Sequence, residues 1–302
     1  MSSRSLHVLG TASQVPTRHR NHNGYLLRWD GLGFLFDPGE GTQRQLILAD
    51  QSMSGVHHVC ITHFHGDHCL GLPGVLQRAS LDALPHPLQL HFHESGQPYV
   101  DRLRYASIYQ ERARVEERPF RAGGIIAEAP TWALSCAPLD HTTPSFGYRL
   151  EARAGWSLDP ARLAARGLRG PAVGRLQREG FVEMDGQRVS IDEVADRRPG
   201  QAVAVVMDTR PCPGAVQLAL GVDLLVCEST YLASHQAEAR QRGHMTAADA
   251  GRLANEAGAK ALLLTHFSQR VIDEQAFVDE AAQVFGGPIT AAHDGLALKL
   301  RG

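Results

Sequence analysis

The sequence has little lysine, no paired cysteines and no long apolar run, and each lack removes a class of explanation. Of 30 basic residues only Lys260 and Lys299 are lysine; the rest are arginine. With 32 acidic residues the formal net charge is −2, so no overall positive field advertises a nucleic-acid partner. The five cysteines (Cys60, Cys69, Cys136, Cys212, Cys227) stand singly, without a CxxC pair. That pattern excludes a thiolate zinc knuckle, the odd count argues against a disulfide framework, and buried reduced thiols are expected. No stretch approaches the roughly 18 apolar residues that span a bilayer. The opening residues, MSSRSLHVLGTAS, show no apolar core before a small-residue cleavage site. A cytoplasmic protein without membrane association is the expectation. No internal repeat or low-complexity tract stands out.

Histidine is abundant instead: there are sixteen, several clustered beside aspartate, where packing alone does not call for them. Short apolar runs bounded by Gly, Asp or Asn predict strands at 7–9, 24–29, 33–36 and 57–62. A helix is expected over 71–79, a strand at 88–92, a helix over 97–109, and strands at 131–137 and 146–151. From residue 202 a βαβα rhythm follows, with strands at 203–207, 224–227, 262–265 and 296–300 and helices over 215–220, 246–257 and 273–284. Thr246 is placed to cap one of these, with Asp249 completing a near capping box. Residues 153–199 differ, being rich in Arg, Gly, Pro and acids. They read as an inserted arm with a short helix at 160–166 and a turn-forming stretch, GLRGPAVG, at 167–174. The expected fold is α/β: two sheets with helices outside, a four-layer αββα sandwich, in one domain spanning 1–302 from which the arm projects.

The densest chemistry lies in Thr62-His63-Phe64-His65-Gly66-Asp67-His68-Cys69-Leu70-Gly71-Leu72-Pro73, directly after a predicted strand. His63, His65, Asp67 and His68 give four metal-binding side chains within six residues, and imidazole with carboxylate suits zinc, manganese or iron. Four groups do not fill two metal sites. His141, Asp208 and His266 each stand just beyond a predicted strand, where side chains from several strands can converge.

This stretch resembles the metallo-β-lactamase superfamily, and its surroundings resemble ribonuclease Z, the tRNA 3′-processing endonuclease family. Leu9-Gly10-Thr11-Ala12-Ser13 with Pro16-Thr17 is similar to the family's opening. Pro16-Thr17-Arg18-His19-Arg20-Asn21 matches its PxKxRN loop, with Arg18 replacing Lys. Phe36-Asp37-Pro38-Gly39-Glu40-Gly41-Thr42-Gln43-Arg44-Gln45 is similar to its second motif, with Pro38 where Cys is common. Met207-Asp208-Thr209-Arg210 resembles GDTR with Met207 in place of Gly, and Cys227-Glu228-Ser229-Thr230 resembles HEAT with Cys227 in place of His, a thiol beside the expected site. His244-Met245-Thr246 and Thr265-His266-Phe267-Ser268 complete an ordered set running from Leu9 to His293.

The resemblance implies one metal held by His63, His65 and His141, a second by Asp67, His68 and His266, and Asp208 bridging both. Two divalent ions per subunit follow, zinc or in second place manganese. Such a pair stabilises the attacking and departing oxygens of an in-line phosphoryl displacement. Asp67 is the expected general base or orienter of the attacking water, His244 the general acid for the leaving 3′-oxygen, and Glu228 the group that orients His244. The expected reaction removes 3′ trailers from precursor tRNA and leaves a 3′-hydroxyl.

Between Arg149 and Arg178 there are seven Arg against two acids, Glu151 and Asp159, a local excess of five positive charges suited to phosphate. The family carries a Gly-Pro-containing arm here, so Gly170, Pro171, Arg175 and Arg178 are its expected RNA contacts, reading an elbow by shape. Arg18, Arg20 and Asn21 are expected at the acceptor end, with Arg20 on phosphate. In the family the arm reaches a substrate held by the other subunit of a homodimer. Two rivals remain: a small-molecule phosphodiesterase, arylsulfatase-like or thioester hydrolase on the same scaffold, and a metal-bound RNA-binding protein without catalysis.

Overall fold

Local sequence sets the first hairpin. Asp30 and Gly31 both take positive φ (50° and 92°), the geometry of a two-residue turn whose twist matches its flanking strands. The turn joins Gly24–Trp29 to Leu32–Phe36 antiparallel, with Tyr25 opposite Phe36 and Trp29 opposite Leu32. The computed structural model describes residues 4–184 and 186–300.

Two 7-stranded sheets form. The first runs, edge to edge, Ala297–Lys299, Arg4–Gly10, Gly24–Trp29, Leu32–Phe36, His58–Cys60, Leu88–His93 and Val115–Phe120. The second runs Ile289–Ala291, Leu262–Thr265, Leu224–Glu228, Ala202–Val206, Ser145–Ala152, Trp132–Leu139 and Gly124–Ala129. In the second sheet the strands from Ala202–Val206 to Ile289–Ala291 are parallel. Sequences such as AVAVV, buried at every position, are what a strand covered on both faces requires.

Helices cover the outer faces. Leu72–Leu81 turns Leu72, Val75, Leu76 and Ala79 onto Leu26, Leu35, Val59 and Leu90 of the first sheet. Pro213–Ala219, Ala247–Glu256 and Gln275–Ala282 pack over Val206, Leu225, Cys227 and Leu264 of the second. Aromatic side chains fill the space between sheets: Phe36 meets Tyr148 at 5.8 Å. Tyr148 Oη donates to the Ile61 carbonyl at 2.6 Å, and Tyr25 Oη bonds Thr265 Oγ1 at 2.6 Å. The αββα arrangement expected from sequence is therefore the observed one. The Thr246–Asp249 capping box forms in full.

Several local readings change. The helix expected over 97–109 stops at Arg104, because Tyr105 and Ile108 are exposed and offer no buried face to continue it. The strands Val115–Phe120 and Gly124–Ala129 lack a clean alternation; each is an outermost strand of its sheet, and the first carries Pro119. The helices Thr42–Leu48 and Gln236–Arg242 were not anticipated.

The chain divides into two compact units: 1–127, 134–150 and 202–302 form one, and 128–133 with 151–201 form the other. The second has its own core of Leu168, Leu176, Val182, Val189, Ile191, Val194 and Ala195. It contains the helices Pro160–Ala165 and Pro171–Glu179, a hairpin of Phe181–Met184 with Gln187–Ser190, and a ribbon of Gly155–Leu158 with Ala195–Arg198. The stretch read as turn-forming opens a helix instead. Gly170 takes a φ of 54°, Pro171 sits in the first turn, where its missing N–H costs nothing, and Gly180 closes the helix at φ 78°.

Candidate metal centre and catalytic cleft

In the second sheet, register puts Val206 beside Cys227 and Glu228 beside Thr265, so Asp208, Glu228 and His266 leave the sheet at one edge. His141 follows Trp132–Leu139, and the loop after His58–Cys60 brings in His63, His65, Asp67 and His68. Two glycines of the quoted motifs make that loop possible. A Cβ on Gly71 would lie 1.9 Å from the Gly39 carbonyl, and one on Gly39 would lie 2.3 Å from the Asp67 carbonyl. Only bare backbone allows the two segments to touch.

All seven expected ligands converge. His63, His65, His141 and Asp208 place one ligating atom each within 4.8 Å of one another, and so do Asp67, His68 and His266. Asp208 divides its oxygens between the groups. Oδ2 lies 3.5 Å from His63 Nε2 and 3.7 Å from His141 Nε2, while Oδ1 lies 3.2 Å from both His68 Nε2 and His266 Nε2. Asp67 Oδ2 is 3.5 Å from His68 Nε2 and 3.4 Å from His266 Nε2.

The far nitrogen of most rings is held by a protein acceptor, which fixes the tautomer and aims the other lone pair inward. His68 Nδ1 donates to Asp37 Oδ2 at 2.8 Å. Thr62 donates to the same oxygen, also at 2.8 Å, and accepts from His63 Nδ1 at 3.0 Å. His141 Nδ1 donates to the Gly243 carbonyl at 2.8 Å and His266 Nδ1 to Thr230 Oγ1 at 2.9 Å. Asp37 and His266 both adopt left-handed backbone (φ 47° and 60°), conformations that cost non-glycine residues energy and gather where side-chain position matters. The orienting roles of Asp37, Thr62, Thr230 and Gly243 had escaped sequence reasoning. Asp37 and Thr230 lie inside the quoted motifs, but nothing in their spacing reveals which ring each meets.

The donor set suits cations. Asp208 Oδ1 is buried with no hydrogen-bond donor directed at it. Burial drives His63 well below the ordinary imidazole value and lowers His65 and His141, leaving neutral rings with free lone pairs. Burial opposes charge on His68 as well, but Asp208, Asp67 and Asp37 outweigh it and raise that ring well above its ordinary value. Burial would raise Asp67 and Asp208, yet His68 foremost for Asp67 and His266 foremost for Asp208 hold both carboxyls down. Crowded carboxylates around inward-facing lone pairs call for positive charge between them.

A cleft of about 970 Å³ opens onto His65, Asp67, His141, Asp208 and His266 and also onto His244. His244 Nδ1 lies 3.0 Å from Glu228 Oε1 and 3.9 Å from Asp208 Oδ2. Glu228 is fully buried and accepts from the Thr209 amide at 2.9 Å and from Thr230 Oγ1 at 2.7 Å. Burial lowers His244, but Glu228 and then Asp208 override it and bring the ring to about 9. His244 also stands near enough to Asp208 and His266 to make a third potential ligating group.

The expected RNA contacts fare unevenly. Arg20 is 7% exposed, paired with Glu274 at 2.7 Å and donating to the Val271 and Ile272 carbonyls. Its guanidinium ties two loops together and is not available to a phosphate, which corrects the reading of that residue. Asn21 Nδ2 donates to the Glu40 carbonyl, whereas Arg18 is exposed. Of the seven arginines in 149–178, Arg149 bonds the Leu218 and Leu220 carbonyls, Arg153 pairs with Glu128, Arg162 with Asp196 and Arg166 with Glu193. Arg169, Arg175 and Arg178 are exposed and flank or occupy the helix Pro171–Glu179; Gly170 and Pro171 are exposed at its start.

The family model described as the metallo-β-lactamase superfamily matches residues 17–218. Ribonuclease Z of Streptomyces avermitilis is 54% identical over 295 residues, covering 97% of each chain. That of Streptomyces coelicolor is 52% identical over 295 residues, again covering 97% of each. The chain belongs to the ribonuclease Z family of the metallo-β-lactamase superfamily. Among solved structures, the short form of human tRNase Z superposes with a TM-score of 0.71 at 23% identity, covering 97% of this chain and 98% of that one, a likeness of fold.

Within that family the departures at Pro38, Met207 and Cys227 are packed rather than exposed at the site. The Pro38 carbonyl accepts from the Gly71 amide at 2.8 Å, and Met207 is fully buried. Cys227 does not bring a thiol to the site. Strand alternation turns it away from Glu228 into the apolar layer with Val206, Met245 and Leu264, where burial pushes its thiol up. Cys60, Cys69 and Cys136 are likewise buried, Cys212 is partly so, and all five thiols are free.

Proposed function

We infer that this chain is a metal-dependent endoribonuclease that removes 3′ trailers from precursor tRNA by hydrolysing a phosphodiester. One observation carries the reading: seven side chains able to hold metal gather beside a His–Glu pair, with Asp67, Asp208 and His244 lining one cleft, in a chain more than half identical over nearly its whole length to a ribonuclease Z. His63, His65 and His141 would hold one divalent ion, Asp67, His68 and His266 the other, with Asp208 giving an oxygen to each. Two such ions supply Lewis acidity at the scissile phosphate and ease deprotonation of water. Imidazole and carboxylate without thiolate favour zinc, with manganese the alternative.

The chain's own groups do the rest. Asp67, with an oxygen facing the other groups of its ligand set, would serve as general base for the attacking water or orient it. His244 delivers a proton from Nε2 to the departing 3′-oxygen, because Nδ1 is engaged by Glu228. Glu228 keeps that imidazole charged and in one orientation. Cleavage so catalysed leaves a 3′-hydroxyl on the tRNA. In the arm, Arg169, Arg175 and Arg178 are the cations left to meet phosphate, with Gly170–Pro171 setting the helix on which two of them stand. A cytoplasmic homodimer, one subunit's arm reaching the other's substrate, completes the reading. No helix among the described residues is long and apolar enough to cross a membrane.

The test is incubation of purified protein with a 3′-extended precursor tRNA, with and without chelator, and mapping of the cut. A single metal-dependent cut at the trailer junction supports the reading. Hydrolysis of bis(p-nitrophenyl) phosphate with no cut in the precursor would move the protein to the small-molecule phosphodiesterases. Metal analysis and the mass of the particle in solution test zinc and the dimer.

A further inference from the structure

The cleft carries two guanidiniums that the proposed chemistry does not use. Arg242 ends the helix Gln236–Arg242, and Arg270 follows the segment of His266; both line the cleft with His65, Asp67 and His244. They share one anion. Arg242 Nε lies 3.1 Å from Glu238 Oε1 and Arg270 Nη1 lies 2.6 Å from Glu238 Oε2. Their side chains are 52% and 50% exposed, and among the described residues no other acceptor meets their remaining N–H groups. Arg270 is also anchored through its backbone: its amide donates to Ser268 Oγ, and the Ser268 amide donates to the Thr230 carbonyl.

Exposed ion pairs add little to stability, so folding alone gives no reason to set two cations on one carboxylate at the rim of this cleft. The trio keeps a net positive charge, and Glu238 holds both guanidiniums in place without consuming their forks. Val15 and Leu70, 42% and 52% exposed, line the same cleft and offer apolar surface to a base. Guanidinium donors and apolar surface within one cleft match the alternating phosphate and base of a polynucleotide strand.

We propose that Arg242 and Arg270, held by Glu238, form a subsite for a phosphate of the RNA chain other than the one being cut. The inference rests on the endoribonuclease reading and extends it: the substrate is recognised in the cleft as a strand of at least two phosphodiesters. A small diester such as bis(p-nitrophenyl) phosphate has no group for this subsite.

The test compares steady-state kinetics of the Arg242→Ala/Arg270→Ala double variant on precursor tRNA and on bis(p-nitrophenyl) phosphate across a range of salt. The expected result is a fall in kcat/KM at least about tenfold larger for the RNA, with a salt dependence shallower by about one in log–log slope. Glu238→Gln, which keeps a hydrogen-bonding side chain between the guanidiniums and raises the net charge of the trio, is expected to lower KM for the RNA. Unchanged RNA kinetics and salt slope in the double variant, or equal losses on both substrates, overturn the subsite while leaving precursor cleavage intact as a function. If the unaltered protein cuts the small diester and no precursor, the endoribonuclease reading itself has failed.

Discussion

The metal-centre unit and the arm unit handle charge in opposite ways. In the first, Asp37, Asp67, Asp208 and Glu228 are buried, and each carboxylate faces imidazole, hydroxyl or amide groups drawn from distant segments. In the second, no charged side chain among the described residues is buried, and a small apolar core of Leu168, Leu176 and their neighbours holds the backbone. Hydrolytic chemistry needs charges fixed in a poorly solvated place, where their interactions are strong. Phosphate contact needs only a scaffold that presents cations to water, because long-range attraction tolerates loose geometry.

The sharpest way to break this comparison is Asp208→Asn. Among the described residues it removes the one carboxylate facing both candidate ligand groups, so both ions and all turnover should be lost, as read by metal analysis and the precursor assay. Retention of both ions would show that Asp208 does not bridge. Next in size is His244→Ala, expected to lower kcat by about 10²–10⁴-fold while both ions stay bound. Loss of an ion on that substitution would make His244 a ligand, which its nearness to Asp208 and His266 permits.

In the arm, Leu176→Ala takes a fully buried side chain from a small core and should cost about 2–5 kcal/mol there. Precursor cleavage should weaken and protease sensitivity should appear within 151–201, while hydrolysis of bis(p-nitrophenyl) phosphate holds. Parallel loss of both activities would mean that the two units are not energetically separate.

The smallest effect is a pH dependence confined to the metal-centre unit. His58 and His91 are buried with ring nitrogens 3.0 Å apart, and Phe34 stacks on His58 at 4.4 Å. Burial, then His91, His57 and His86, lowers His58 to about 3; burial, then Arg118, lowers His91 to about 4. Protons therefore prefer the unfolded chain. The pair's contribution to stability is complete above the free imidazole value of about 6.5 and is lost as pH falls toward 4 and then 3. The melting temperature should drop over that window, and His58→Phe should flatten the drop. An unchanged slope would show that the pair does not govern acid stability.

Much of this was legible in the residue order, for reasons that are local. Short apolar, β-rich runs marked the strands Gly24–Trp29 and Ala202–Val206, Thr246 with Asp249 marked a helix start, and the density of His63, His65, Asp67 and His68 marked a centre for metal. Helix Pro171–Glu179 was missed because Gly170–Pro171 signals a turn as readily as a helix start, and only the buried Leu176 and the closing Gly180 separate the two. Val115–Phe120 was missed because an edge strand needs no alternation.

The sequence by itself determined which groups can ligate and where strands end, since both follow from residue type and short-range periodicity. Only the tertiary structure decided that Asp208 faces two ligand groups, that Asp37 holds His68 directly and His63 through Thr62, that Arg20 is spent on Glu274, and that Cys227 points away from the chemistry. Those outcomes depend on which face of a strand meets which distant loop, and such long-range geometry is set by packing the whole chain at once.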